Sequence, residues 1–96
     1  MLIEQVSAVD CYNLRESVLR QGQPKENWTF EADDDLRTIH LAINNGEEIV
    51  GVVSLLPEKN EAVPSHPWRL RGMAIKEEYQ GRGWGQKLLV ALLAKK

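Results

Sequence analysis

Cysteine is almost missing from this chain: Cys11 stands alone. No disulfide can therefore close within it, and such usage fits a reducing compartment. Basic blocks are missing as well. Twelve Lys and Arg against fourteen Asp and Glu leave a net charge of −2. The cations are dispersed, which speaks against nucleic acid as a partner, because that binding rests on grouped Lys and Arg. No apolar run approaches the ~20 residues that span a bilayer. The N-terminus also lacks a basic region followed by an apolar one, so the expectation is a cytoplasmic protein without membrane contact. The run Asp33-Asp34-Asp35 has no second cluster of ligands to accompany it. It reads as a solvated loop and not as a metal site. Repeats and low-complexity segments are absent. What remains is one expected domain over residues 1–96, able to bury roughly 60–65% of its unfolded surface.

Patterning gives the order of elements. Met1 to Val6 reads as a short strand, and Ser7 with Asp10 is placed to cap a helix over Ala8 to Arg20. Cys11, Leu14 and Val18 share one face of that helix, so Cys11 is expected to be buried and inert. Gly22 and Pro24 stop it. Gln21 to Asp35 has no clean period. Its Trp28 and Phe30 either cover the edge of the core or line a cleft. Leu36 to Asn44 alternates, with Ile39, Leu41 and Ile43 on one face and His40, Ala42 and Asn44 on the other, as in a half-buried strand. Asn45-Gly46 then suits a type I′ turn. Ile49 to Leu56 is apolar enough for a strand covered on both faces. A loop rich in proline and charge, Pro57 to Pro67, precedes a strand over Trp68 to Ile75.

The most informative stretch follows that strand: Tyr79-Gln-Gly-Arg-Gly-Trp-Gly-Gln-Lys-Leu-Leu-Val-Ala-Leu-Leu93. A strand, a glycine turn and a helix N-terminus in that order make an anion site, because the first helical N–H groups lack intrahelical partners and the macrodipole adds partial positive charge. A dinucleotide fingerprint would need glycine at Gln86, and a P-loop would need Gly-Lys-Ser/Thr where Gln86-Lys87-Leu88 stands. What is left, Gln80-x-x-Gly83-x-Gly85 after Met73-Ala74-Ile75, resembles the acyl-CoA signature of the GNAT superfamily of N-acyltransferases.

That resemblance implies an α/β (α+β) fold with mostly antiparallel strands, one helix before the sheet and one after the glycine turn. It implies acetyl-CoA as cosubstrate, no metal, and a small-molecule or peptide amine as acceptor. By position, the main chain of Met73 and Ile75, flanking Ala74, would hold the pantetheine arm. Gln80, Gly81, Arg82, Gly83, Gly85 and Gln86 would hold the pyrophosphate. Trp84, between the glycines, would pack on the sheet beside that site. The region of Trp28 and Phe30 is where the family often builds acceptor recognition.

Acyl transfer to an amine requires a neutral amine, a donor for the developing oxyanion and a proton for the thiolate. A strand N–H near Met73 or Ala74 is expected to serve the second need. Some family members carry a catalytic glutamate on this strand, but Arg69 occupies the matching position. Glu58, Glu61, His66 and His40 are the other candidate bases, and no general base is legible. The family's domain continues with further strands and a helix after this point, so the chain is expected to be a truncated or fragmentary domain. The edge of the Trp68–Ile75 strand and the Leu88, Leu89, Leu92, Leu93 stripe would then pair two copies. A non-catalytic acyl-CoA-binding or protein-interaction module is the alternative.

Overall fold

The computed structural model describes residues 1–57 and 68–95. Four strands, β1 (Leu2–Val6), β2 (Ile39–Asn44), β3 (Ile49–Pro57) and β4 (Trp68–Ile75), form one sheet in the order of the chain. Every neighbouring pair is antiparallel. Helix α1 (Ala8–Leu14) lies between β1 and β2, and α2 (Trp84–Lys95) follows β4. The class is thus α+β, as expected.

The two helices cover opposite faces of the sheet. Cys11 and Leu14 of α1 pack with Ala42, Val52 and Ala74. Leu88 and Leu92 of α2 pack with Leu41, Ile43, Val53 and Leu55. A central strand between two apolar helix faces is buried on both sides, which explains the apolar run of β3. It also corrects the reading of β2 as half-buried: His40 and Leu41 through Ile43 are all inside. Removing any of the large aliphatic side chains from water contributes roughly 1.5–3 kcal/mol, so α2 is anchored chiefly by Leu88 and Leu92. Leu93, placed on the same stripe by spacing, is 69% exposed.

Local signals explain where the first helix begins and ends. The Asp10 carboxylate accepts from the Ser7 N–H at 3.1 Å and from its hydroxyl at 3.0 Å, fixing the first turn. After Leu14 the helix widens into a π-helical turn, Arg15–Leu19, a distortion that spacing did not reveal. Gly22 at φ +73 then turns the chain out of it. Two 3₁₀ turns, Lys25–Asn27 and Glu31–Asp34, occupy the aperiodic region.

The β2–β3 connection differs from the expected two-residue turn. Only Gly46 there has a positive φ, +100°, whereas type I′ needs it at both central residues. Asn45 keeps negative φ and uses its side chain instead: Oδ1 accepts from the N–H groups of Glu47 and Glu48, both at 2.9 Å. The connection is therefore a longer loop held by an asparagine, and the ladder slips between Ile43 and Asn44 beside it.

Candidate functional site

Strand β4 is an outer strand of the sheet. The Lys76 N–H donates to Val50 O at 2.8 Å, and Ile75 stands opposite Gly51. The alternation of an antiparallel ladder therefore turns the N–H and C=O of Ile75 away from β3. Ala74, opposite Val52, has its own backbone groups turned towards β3, so of the two N–H groups considered as oxyanion donors this one is engaged within the sheet. Further along, Gly72 and Met73 occupy the space of one residue between the pairs Val52–Ala74 and Ser54–Arg71. This bulge places Gly72 at φ +65, a conformation that glycine adopts without a Cβ penalty.

The chain leaves the strand through a 3₁₀ turn, Glu77–Tyr79. Gln80 reaches back from it, and its Nε2 donates to the outward Ile75 carbonyl at 2.7 Å. Tyr79 is braced by Asn45, whose Nδ2 donates to the phenol oxygen at 3.1 Å. Gly81 and Gly83 both have positive φ, +75° and +82°. A Cβ at either would meet nothing within 4 Å. Conformation and not crowding thus demands glycine, and the space over the turn is open. Gly85 differs: a Cβ there would come within 3.3 Å of the Met73 sulfur, so the first turn of α2 sits close against β4.

A turn over Gln80 and Gly81 directs the Arg82 N–H back toward the 3₁₀ segment. The first N–H groups of α2 have no intrahelical partner, and the Lys87 N–H after them donates to Gly83 O at 3.2 Å. These donors stand at the positive end of a twelve-residue helix, beside an exposed turn. Arg82 adds a cation, its guanidinium carbon 5.9 Å from the Tyr79 ring centre. Trp84 is half-buried against the α2 side of the core, with the Lys87 ammonium 4.3 Å from its ring centre. Met73, Ala74, Ile75 and the segment from Gln80 to Gln86 are thus brought together where β4 passes into α2.

Comparison with known sequences matches this arrangement to a family. The profile of the Acetyltransferase (GNAT) family covers residues 7–95. The chain belongs to the GNAT acetyltransferase family. A curated relative, the "Uncharacterized N-acetyltransferase YitI" of Bacillus subtilis (strain 168), is 26% identical over 88 residues. The alignment takes in 91% of this chain but 59% of that protein, so the chain spans about three fifths of its relative's length. Enzymes of this family use acetyl-CoA and acetylate small-molecule or peptide amines.

The other residues singled out in this GNAT chain fall elsewhere. Glu58, Glu61 and His66 lie outside the described residues. His40 is buried 10 residues upstream of Val50 in a polar cluster that uses both its ring nitrogens. Its Nε2 lies 2.9 Å from Asp33 O, which can only accept, so Nε2 carries the proton. Nδ1 then accepts from Ser54 Oγ at 2.6 Å. Ser54 in turn accepts from Arg15 at 2.9 Å, and Arg15 grips the Asp33 carboxylate with bonds of 2.8 and 2.9 Å. His40 is engaged structurally and is closed off as a base.

Asp33 corrects the reading of the aspartate run as a solvated loop: it is 5% exposed and paired with a fully buried arginine. Asp35, in the same run, is held down to about 2 by hydrogen bonds from Arg37, which makes it a poor proton acceptor. Among the described residues no group of three or more His, Cys, Asp or Glu could hold a metal, and no helix is long and apolar enough to cross a membrane. Cys11 is buried as expected. Desolvation pushes its thiol up to about 11, with Arg15 opposing, so it stays protonated and unreactive.

Beside the bulge of β4 opens a cavity of about 310 Å³, with Trp28 and Phe30 in its wall and Gly72 at its floor. Neither ring simply covers the core edge. The Phe30 ring is stacked by two guanidinium groups, Arg15 at 4.1 Å and Arg71 at 4.2 Å. The arginines of this cavity were not singled out by sequence spacing. One signal was present, since Arg15 falls four residues after Cys11 and three before Val18, on the inward stripe.

Proposed function

We propose that this chain forms the acetyl-CoA-binding part of an N-acetyltransferase that acts on an amine acceptor. The observation that carries the reading is the start of α2, whose first N–H groups lack intrahelical partners, set just after the positive-φ glycines 81 and 83 and beside the outward edge of β4 at Ile75. A diphosphate needs several donors at close range and no side chain in the way, and positive-φ glycines with open space above them fit both needs. The first N–H groups of α2 would hold the pyrophosphate, with Arg82 adding charge. The outward N–H of Ile75 would bond an amide of the pantetheine arm, extending the sheet by one strand-like segment.

Bound acetyl-CoA supplies an activated acetyl thioester. The chain's part is to fix the thioester beside the β4 bulge and to exclude the wrong approach of the acceptor, since positioning alone supplies a large share of such rate enhancements. The Met73 N–H, at the bulge, is the remaining candidate donor to the carbonyl oxygen.

Titration of the chain with acetyl-CoA by calorimetry, followed by free-thiol release with a panel of amines, tests the reading. Heat with CoA and thiol release with at least one amine is the expected result. A second reading, a non-catalytic acyl-CoA-binding module, is favoured by the described residues, among which no base stands at the bulge: Arg69 replaces a carboxylate, His40 is engaged and Asp35 is a poor proton acceptor. CoA binding without thiol release from any amine would select it.

A further inference from the structure

The cavity beside the bulge is unusual in its charge. Arg15, Arg20, Arg69 and Arg71 all line it, and among the described residues no Asp or Glu does. Arg15 is matched by Asp33, yet its Nε is buried without a hydrogen-bond partner. That nitrogen faces Gly72 of the bulge, where a Cβ would stand 2.9 Å from it. Arg71 stacks its flat face on Phe30, which leaves the in-plane N–H groups of the guanidinium for another partner. Neither Arg71 nor Arg20 makes an ion pair among the described residues. Among the described residues that line this space, cations outnumber anions.

We propose that the acceptor is a small amine bearing a carboxylate, of the amino-acid type, and that Arg71 with Arg20 receives the carboxylate in this cavity. The inference rests on the acetyltransferase reading and names its substrate class. A volume of about 310 Å³ suits a small acceptor, at the lower end of ligand pockets, which run from ~300 Å³ upward. The carboxylate goes to the guanidinium forks, which match its geometry. The rings of Trp28 and Phe30 take the apolar part of the acceptor. The amine then points to the Gly72–Met73 bulge, which is continuous with the strand edge proposed for the thioester arm.

This placement also bears on how the amine loses its proton. Cations around an ammonium disfavour its charged form and lower its pKa. The ammonium releases one proton to solvent and attacks as the neutral amine. The new N–C bond forms at the acetyl carbonyl carbon, the C–S bond breaks with its electron pair on sulfur, and the nitrogen's second proton ends on the departing thiol. A cationic cavity promotes the first of these steps without a dedicated carboxylate.

The test compares amino acids with the amines that lack only the carboxylate, such as phenylalanine against phenethylamine, by thiol release from acetyl-CoA. The parent chain is expected to favour the carboxylate-bearing member at least tenfold in kcat/KM. Arg71→Gln is expected to abolish that preference, lowering kcat/KM for the amino acid at least tenfold more than for the plain amine. Calorimetry of parent and variant with CoA and with dephospho-CoA separates an acceptor carboxylate from the coenzyme's own ribose phosphate. Loss of the amino-acid preference with unchanged binding of both coenzymes supports the proposal. If Arg71→Gln weakens CoA but not dephospho-CoA, the arginines serve the coenzyme and the proposal is overturned. Equal rates for the paired acceptors overturn it too, with the acetyltransferase reading left standing. CoA binding without thiol release from any amine overturns both.

Discussion

Two polar regions of this molecule lie on either side of β3 and meet opposite fates. Around Ser54, the side chains of Arg15, Asp33 and His40 are buried and, Arg15 Nε apart, satisfy one another with bonds of 2.6 to 2.9 Å. At the glycine turn, the first N–H groups of α2 have no intrahelical acceptor, and the space over Gly81 and Gly83 is open. A buried polar group left without a partner costs about 1–3 kcal/mol, so the first region must close on itself for the chain to fold. An exposed N–H is served by water and costs little, so the second can wait for a ligand. Internal satisfaction marks a structural cluster, and exposed convergence marks a candidate binding site.

The largest way to break this contrast is to open the closed cluster. Asp33→Ala leaves the guanidinium of Arg15 buried without its anion, and removal of one partner from a buried pair costs about 3–5 kcal/mol. A domain of this size has roughly 5–15 kcal/mol in all, so the variant should lose a large part of its stability in urea denaturation. Arg15→Met combined with Asp33→Ala should recover much of the loss, because the uncompensated charge is then gone. If Asp33→Ala alone melts like the parent, the cluster is not the closed structural unit described here.

A smaller effect is expected at the open turn. Gly83 holds φ +82, which a β-branched residue reaches only with strain of about 1–3 kcal/mol. Gly83→Val should therefore shift the turn and weaken CoA binding at least tenfold, about 1.4 kcal/mol. The urea midpoint should move less than in Asp33→Ala, since the turn is exposed. Parent-like CoA affinity in Gly83→Val would remove the phosphate assignment from these donors.

The same contrast separates what could be read in the sequence from what could not. Strand β4 was legible at both ends, Trp68 and Ile75, and so was the turn that follows, because glycine spacing reports backbone conformation directly. The closed cluster was not. Arg15, Asp33, His40 and Ser54 come from four separate elements, and a charged residue on its own reads as solvated. Each nonetheless occupies an inward position, and four inward polar residues on neighbouring elements are a detectable sign of a shared network. The Asn45-Gly46 turn failed for a different reason: the asparagine side chain replaced the backbone geometry that the dipeptide suggests.

Alkaline pH probes the closed side from its apolar flank. The Cys11 thiol is fully buried, and desolvation raises it from 9.0 to about 11. The unfolded thiol ionises first, so the folded state holds more protons between these values and stability falls as pH rises. Its contribution is complete below pH 9 and is lost on the way to about 11, at no more than about 1.4 kcal/mol per pH unit. Denaturation midpoints of the parent across pH 8 to 11 should show this decline, and Cys11→Ala should flatten it. A parent curve as flat as that of Cys11→Ala would mean that the thiol ionises freely in the fold.

The smallest effect is expected at the brace behind the open turn. Asn45 organises the β2–β3 loop through Oδ1 and braces Tyr79 through Nδ2, at 3.1 Å from the phenol oxygen. That bond ties the β2–β3 loop to the turn carrying the open donors. Tyr79→Phe keeps the ring packed and removes only the acceptor oxygen, so stability should fall by about 0.5–1 kcal/mol, the range of one partly buried hydrogen bond. CoA affinity should fall by less than threefold, because the positive-φ glycines and the Gln80 bond to Ile75 still set the turn. A tenfold loss of affinity with unchanged stability would show instead that the donors at the start of α2 depend on this brace. The turn would then be held in place by the closed sheet behind it, and the separation between the two regions would not hold.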